Sequence, residues 1–226
     1  MADREYIVER FGREQEPVVI IDDFYSDPES LIAHATSLPF ERRGQFYPGI
    51  RAAGNVNYLG ERMALLTSIL QNEFDVKQGV RVVECNYSLV TTPPHALTPI
   101  QCLPHFDGLD RGRFAVLHYL SEAEKGGTAF YRHRGTGFET MNEERFETYK
   151  KALHTEAAEL GLPPQRYFNQ STSQFEQVLN VPAKPNRLII YRGVTLHSGY
   201  IPDDLELSDD PMMGRLTLNT FLQDKS

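Results

Sequence analysis

A histidine and an aspartate separated by one residue are the first side chains in this sequence that could bind a metal together. His105 and Asp107 lie in the segment Pro104-His105-Phe106-Asp107-Gly108. On a strand, side chains two residues apart point to the same side, so these two could share one ion. The alternative for such a pair, taken alone, is a satisfied polar contact at a strand end.

A third candidate ligand is His197, which follows the apolar strand Leu188-Ile189-Ile190-Tyr191. Two histidines and one carboxylate on one side of a metal leave its other positions open for a co-substrate and dioxygen. This donor set is typical of non-haem Fe(II) oxygenases. The three residues therefore form the candidate metal and catalytic group.

The last predicted strand carries a second polar group. Alternation puts Arg215, Thr217 and Asn219 on one face and leucines on the other. A guanidinium and a hydroxyl on one face suit a carboxylate, which arginine holds through two parallel hydrogen bonds. The alternative is a strand with one solvated face.

Taken in order, these pieces resemble the Fe(II)/2-oxoglutarate-dependent dioxygenases, closest to their prolyl-hydroxylase-like branch. The series is His105-x-Asp107, Tyr119-Leu120-Ser121, Glu124-Lys125-Gly126-Gly127-Thr128-Ala129-Phe130, His197 and Arg215-x-Thr217. Within that superfamily the chain looks like a group of bacterial proteins of undefined substrate. The phrases typical of that group are Phe46-Tyr47-Pro48-Gly49-Ile50-Arg51, the run from Gly126 to Arg134, and Asn186-Arg187-Leu188.

The resemblance implies a mainly β or α+β fold, a double-stranded β-helix (a jelly-roll, cupin-like barrel) with flanking N-terminal helices and an inserted helical segment. It implies that His105, Asp107 and His197 hold Fe(II), and that Arg215, Thr217 and Tyr119 bind the co-substrate 2-oxoglutarate. With dioxygen, 2-oxoglutarate would be decarboxylated to succinate while a substrate is oxidised. Asp107 favours hydroxylation over halogenation, because the related halogenases lack this carboxylate.

Hydrophobic periodicity indicates which elements position these residues. It predicts a strand over 17–24, helices over 29–37 and 60–74, and an ordered loop over 39–58. Further strands are predicted over 80–90, 100–106, 113–120, 128–131, 177–181, 187–191, 194–199 and 215–222, with a polar helix over 142–160. We expect a single domain, residues 1–226, in which an N-terminal strand and helices (1–79) pack on a barrel (80–222) with a helical insertion at about 136–175.

Composition and charge limit the classes of partner that this chain is expected to bind. The formal charge is −8, from 23 Lys and Arg against 31 Asp and Glu. This negative charge argues against binding to nucleic acid. No run approaches the roughly 18 apolar residues of a membrane span. Two cysteines outside any C-x-x-C motif and a polar N-terminus without a signal-peptide run predict a cytoplasmic protein. The expected partner is a small-molecule, peptide or protein substrate, of unspecified identity.

Four further residues are candidates for substrate contact. Arg132 and Arg134 form the dense basic cluster of an acidic chain, and they could hold an anionic group at the barrel mouth. Tyr47 and Arg51 lie before the barrel and could form a substrate wall. The alternatives are a solvated loop for the first pair and a packed loop for the second.

Two other function classes fit the same ligands. A cupin-like binding module would hold a metal or an acidic small molecule without oxygen chemistry. A zinc-dependent hydrolase is the weaker fit, because no second carboxylate near the His105-x-Asp107 motif presents itself as a general base.

Overall fold

The computed structural model describes residues 5–121 and 124–225 as a mainly β chain with a few helices. In chain order the strands and helices are β1 (Ile7–Phe11), β2 (Glu16–Ile21), α1 (Pro28–Thr36), β3 (Gly49–Ala53), α2 (Met63–Phe74), β4 (Val80–Val90), β5 (Arg113–Tyr119), β6 (Gly127–His133), α3 (Glu143–Leu160), β7 (Phe175–Pro182), β8 (Leu188–Arg192), β9 (His197–Tyr200) and β10 (Leu216–Asp224). Short 3₁₀ segments lie at Val56–Arg62, Pro94–Ala96 and Pro99–Cys102.

The strands form two antiparallel sheets. The larger has the order β1-β2-β8-β5-β10-β4-β3 and the smaller the order β7-β6-β9. From β5 onward the chain passes repeatedly from one sheet to the other, so sequential strands seldom pair with each other. This arrangement confirms the prediction of a mainly β chain and is consistent with a jelly-roll.

Helices cover one face of the larger sheet. The α2 residues Leu66, Ile69 and Phe74 are buried, and they join one apolar cluster with Leu216 and Leu218 of β10. A side chain of this size gains roughly 1.5–3 kcal/mol when it is fully buried. The helices therefore hold the outer face of the sheet mainly by packing, with a few polar contacts such as the bond from Arg192 Nη2 of β8 to the carbonyl of Phe74 at 2.7 Å.

The opposite face of the larger sheet meets the smaller sheet. Leu117 of β5 and Ile189 of β8 share an apolar cluster with Phe130 of β6 and Val181 of β7. Because side chains alternate along a strand, each central strand contributes to both clusters. His118 of β5 is buried on the helix side and Tyr119 faces the smaller sheet, as the alternation predicts.

Two segments differ from the expectation. Residues 49–53, predicted as part of a loop, form β3, which pairs with β4 from Gly49 opposite Val90 to Ala53 opposite Asn86. The predicted strand over 100–106 begins instead as the 3₁₀ segment Pro99–Cys102, because Pro99 follows Thr98, whose side chain takes part in a capping box. The N-terminal region also contains β1 in addition to the predicted strand.

Two glutamates tie the turn between β1 and β2 to the segment before α3. The carboxylate of Glu139 accepts hydrogen bonds from the backbone N–H groups of Arg13 and Glu14, each at 2.9 Å, and from Arg132 Nη1 at 2.9 Å. In return, Glu14 accepts from the backbone N–H of Glu139 at 3.1 Å and from Arg145 Nη1 at 2.8 Å. This contact fixes the start of the helical insertion against the N-terminal strands.

Across the described ranges, 5–121 and 124–225, no helix combines the length and the apolar character that crossing a membrane requires.

We expect Glu139→Gln to lower the free energy of unfolding by about 3 kcal/mol. Glu139 is fully buried, and an amide would turn an N–H₂ group toward donors that now share a carboxylate. Urea denaturation followed by circular dichroism measures the change. Glu9→Gln, which removes the same charge from an exposed position of β1, serves as the control and should shift stability by less than about 0.5 kcal/mol. Equal effects of the two changes would show that the contact is not structural.

Candidate metal centre

A short backbone ladder positions the three candidate ligands. The N–H of His105 donates to the carbonyl of His197, and the N–H of His197 donates to the carbonyl of His105, both at 2.8 Å. The N–H of Asp107 donates to the carbonyl of Gly193 at 2.7 Å. Residue 193 is a glycine, and the absence of a side chain favours this close approach. A Cβ at this position would lie only 3.2 Å from Asp107 Cβ, which is a crowded contact. These bonds hold residues 105 and 107 against the segment 193–197, although His105 forms only an isolated bridge and Asp107 lies at a bend.

One ligand atom from each of His105, Asp107 and His197 can be chosen so that all three lie within 4.8 Å of one another. Nε2 of His105 is 4.0 Å from Asp107 Oδ1, and Nε2 of His197 is 3.6 Å from Asp107 Oδ2. These distances are too long for hydrogen bonds. Two ligands bound at about 2.1 Å to one ion lie roughly 3–4 Å apart, so a small closure of the side chains would complete a site.

The protonation of His197 suits a metal ligand. Its Nδ1 lies 2.8 Å from the carbonyl oxygen of Thr195, which can only accept, so Nδ1 carries the proton and Nε2 keeps its lone pair. Burial lowers the pKa of His197 to about 4, which keeps the ring neutral near pH 7. Hydrogen bonding of the outer ring nitrogen to a backbone carbonyl is the usual way to orient a histidine ligand.

Asp107 has an unsatisfied oxygen at the same point. Oδ2 is buried and has no hydrogen-bond partner among the described residues. Burial raises the pKa of Asp107, and the nearby charges of His105, Arg113 and Arg51 oppose that increase. A buried acceptor without a donor is costly unless a cation meets it. The donor set and this orphaned oxygen both fit a divalent metal.

The centre has one closed side and one open side. The ring of Tyr191 lies 4.8 Å from that of His197, and the ring of Phe130 lies 6.3 Å away, so apolar side chains cover His197. The side chain of His105 is 51% exposed. A reactant could therefore reach the metal from the His105 side while water is excluded on the other.

A row of polar residues crosses the inner face of the larger sheet beside the triad. Strand register aligns Arg51 of β3 with Ser88 of β4, Ser88 with Thr217 of β10, and Thr217 with Tyr119 of β5. The hydroxyl of Tyr119 is 2.8 Å from that of Thr128 on β6. The pairing thus brings three sequence-predicted residues, Arg51, Thr217 and Tyr119, into a single line together with Ser88.

Arg215 lies directly before β10 and reaches across to the smaller sheet. It is 5% exposed, and its Nε and Nη2 donate to the carbonyls of Lys125 and Gly127, both at 2.8 Å. Its guanidinium lies 5.6 Å from the ring centre of Tyr119. These two bonds orient the group and leave Nη1 for a ligand.

Tyr47 lies against Arg51, whose guanidinium is 4.1 Å from the centre of its ring. Burial raises the pKa of the Tyr47 phenol, and the charges of Arg215 and Arg51 oppose that increase. Several buried polar atoms in this region have no hydrogen-bond partner in the described part of the chain, namely Tyr47 Oη, Ser88 Oγ, Asn219 Oδ1 and Arg51 Nε. Such a concentration of unsatisfied groups indicates a place where a polar ligand belongs.

The other two predicted substrate residues are placed differently. Arg132 forms ion pairs with Glu139 at 2.9 Å and with Glu176 at 2.5 Å, and Arg134 lies 3.4 Å from Glu176. Their polar contacts therefore run to intramolecular carboxylates and, for Arg134, also to the carbonyl of Thr172 at 3.1 Å, rather than to the candidate ligands. A role in substrate binding would require breaking these pairs.

Sequence reasoning missed the contribution of β4. Glu84, Asn86 and Ser88 alternate with apolar or aromatic neighbours and pair with the inner-face positions Phe221, Asn219 and Thr217 of β10. Their alternation with these neighbours, a period of two in the sequence, is the signal that could have revealed them. Thr128, the partner of Tyr119, carries no such local signal.

The fold is similar to that of two solved structures. One is HygX from Streptomyces hygroscopicus with nickel and 2-oxoglutarate bound, with a TM-score of 0.51 and 12% identity over 95% of this chain and 87% of that chain. The other is SnoN, the non-heme alpha ketoglutarate dependent epimerase from nogalamycin biosynthesis, with a TM-score of 0.53 and 14% identity over 93% of this chain and 80% of that chain. At these identities the similarity establishes a shared fold.

Comparison with curated proteins finds no match to the sequence. The model of a family of unknown function, DUF6445, matches residues 2–222. That match spans nearly the whole chain and includes both the candidate ligands and the polar row. The chain therefore belongs to the DUF6445 family.

Proposed function

We propose that this chain is an Fe(II)- and 2-oxoglutarate-dependent oxygenase on a double-stranded β-helix, related to the prolyl-hydroxylase-like branch. The observation that carries the proposal is the cluster of His105, Asp107 and His197 with its unpaired carboxylate oxygen. It is supported by a fold shared with HygX, which is described with nickel and 2-oxoglutarate bound.

In this proposal His105, Asp107 and His197 are the catalytic metal ligands, and they would hold the iron from one side. Bound ferrous iron with 2-oxoglutarate and dioxygen supplies the oxidising chemistry, with succinate and carbon dioxide as products. The contribution of the protein is to orient the ligands, to exclude water and to position the reactants.

Arg215, Thr217 and Tyr119 are proposed to bind the distal carboxylate of 2-oxoglutarate. Arg215 is held in place by the carbonyls of Lys125 and Gly127, so little conformational freedom is lost when it meets a ligand. The hydroxyls of Tyr47 and Ser88 lie close to each other on the same inner side. This placement supports the binding of an acid, and succinate formation is the property that separates an oxygenase from a cupin-like module without oxygen chemistry.

Tyr191 and Phe130 cover His197, and they would protect the reacting centre from water. The open side at His105 would receive the substrate, a small molecule, a peptide or a protein. The carboxylate of Asp107 occupies a position that a halide would need, which favours hydroxylation or a related oxidation over halogenation.

We expect wild-type protein to bind one equivalent of Co(II), an oxygen-stable substitute for Fe(II), and His105→Ala to weaken that binding at least 100-fold. Removing one of three ligands leaves two, which cannot retain the ion as tightly. Isothermal titration calorimetry measures the affinity. His95→Ala removes an exposed histidine ten residues earlier and should bind Co(II) like the wild type. Equal affinities for all three proteins would refute the proposed site.

We expect Asp107→Ala to abolish metal binding while leaving the metal-free protein at least as stable as the wild type. The change removes an acceptor oxygen that is buried without a donor, and such a group costs roughly 1–3 kcal/mol. Thermal unfolding in the presence of a chelator measures this. A large loss of stability would instead assign Asp107 a structural role.

We expect Arg215→Gln to weaken 2-oxoglutarate binding at least 30-fold in Ni(II)-loaded protein, because the amide cannot form a charged pair with the carboxylate. Calorimetry gives the affinity, and succinate formation by Fe(II)-loaded protein gives the turnover. Arg166→Gln, at an exposed position, is the control. Since Arg215 also bonds backbone carbonyls, Tyr119→Phe provides a milder second variant, expected to weaken binding severalfold. If the wild type neither binds 2-oxoglutarate nor forms succinate, the oxygenase proposal fails.

A further inference from the structure

We propose that Arg51, supported by Tyr47, forms an anion-binding subsite at the open side of the metal centre, and that the substrate is a carboxylic acid. This inference rests on the proposed function and names the substrate class for the same site. It assigns Arg51 a role separate from that of Arg215.

The position of Arg51 is set by β3. This strand is the edge of the larger sheet, and Arg51 pairs with Ser88 of β4 and bridges to Glu41 on its other side. Both backbone contacts fix the start of the side chain. Its guanidinium then lies over the ring of Tyr47, 4.1 Å from the ring centre, a cation–π contact that orients it further.

The charge of Arg51 is incompletely matched. Its side chain is only 16% exposed, and Nε is buried without a hydrogen-bond partner among the residues described. The nearest carboxylate oxygen is Oε1 of Glu84 at 3.6 Å from Nη1, beyond hydrogen-bonding distance. That same oxygen already accepts from Asn86 Nδ2 at 2.6 Å. A guanidinium in this state can gain two charge-assisted hydrogen bonds from an incoming carboxylate.

Arg51 is also close to where chemistry would occur. It lies on the inner face of the larger sheet, in one row with Tyr119. Tyr119 shares an apolar cluster with Tyr191, whose ring is 4.8 Å from that of His197. Arg51 lies toward the β3 edge, while Arg215 is tied to the carbonyls of Lys125 and Gly127 at the other end of the polar row. A substrate acid held by Arg51 and 2-oxoglutarate held by Arg215 would therefore occupy different parts of one site.

The surroundings suggest the rest of the substrate. Phe46, adjacent to Tyr47, is 56% exposed, and the half-exposed ring of His105 marks the open side of the metal centre. An apolar or aromatic group could pack on Phe46 while the carboxylate meets Arg51. A matched pair of probes for this arrangement is 3-phenylpropanoate and its amide, which have the same shape and differ in charge.

The test measures binding of both probes to Zn(II)-loaded protein saturated with 2-oxoglutarate, by ligand-observed NMR. We expect the acid to bind at least tenfold more tightly than the amide, and Arg51→Gln to abolish that preference. Replacing Zn(II) with Mn(II) should broaden the lines of the bound acid, which shows that it lies near the metal. Arg43→Gln is the control: Arg43 lies in the segment before β3 and is exposed, paired with Glu41 at 2.6 Å, and its loss should leave the preference intact.

Three results would overturn the inference: equal binding of acid and amide by the wild type, an acid preference that persists in Arg51→Gln, or a loss of 2-oxoglutarate affinity in Arg51→Gln as large as that in Arg215→Gln. The last would assign Arg51 to the co-substrate. If Arg51→Gln fails to fold, Arg51→Lys keeps the charge without the planar fork and should lose most of the preference. Metal and 2-oxoglutarate binding by the wild type are measured first, so that failure of the oxygenase proposal is seen separately from failure of the carboxylate subsite.

Discussion

A carboxylate oxygen of Asp107 is enclosed beside two imidazoles, with no donor of its own in the described part of the chain. Gathering these groups is unfavourable in itself, because the buried acceptor has lost its water. The backbone bonds from His105 to His197 and from Asp107 to Gly193 impose the arrangement. The two sheets hold these bonds in place. His197 begins β9 of the smaller sheet, and Gly193 directly follows β8 of the larger sheet.

The two faces of the larger sheet have different roles: the outer face stabilises the fold, and the inner face carries the polar residues of the candidate site. On the outer face, Leu216 and Leu218 of β10 pack under the N-terminal helices. On the inner face, Thr217 of the same strand aligns with Ser88 and Tyr119. A shift of one residue in register would exchange the two faces and place the polar row under the helices. The apolar packing outside therefore fixes the geometry of the polar row inside.

The arginines of this acidic chain differ in what already binds them. Arg132 is paired with Glu139 and Glu176, and Arg215 is oriented by two backbone carbonyls. Within the described ranges, Arg51 meets a carboxylate no closer than 3.6 Å, and it also contacts an aromatic ring. A ligand gains most from a guanidinium whose hydrogen bonds are still unmade, since no existing bond must break first. The local hydrogen bonding, rather than the charge itself, separates the structural arginines from those suited to ligands.

The sequence by itself determined those features that depend on residues close together in the chain. The H-x-D spacing of His105 and Asp107, the alternation in β5 and β10, and the strand at Val80–Val90 all follow from local geometry. Tertiary structure alone decided that residues 49–53 form an edge strand and that Arg132 is paired with Glu176, 44 residues away. It also decided which residues lie beside Arg51. The reason is physical: a strand edge, an ion pair and an unpaired guanidinium are properties of the partners that folding brings together, and no local pattern specifies those partners.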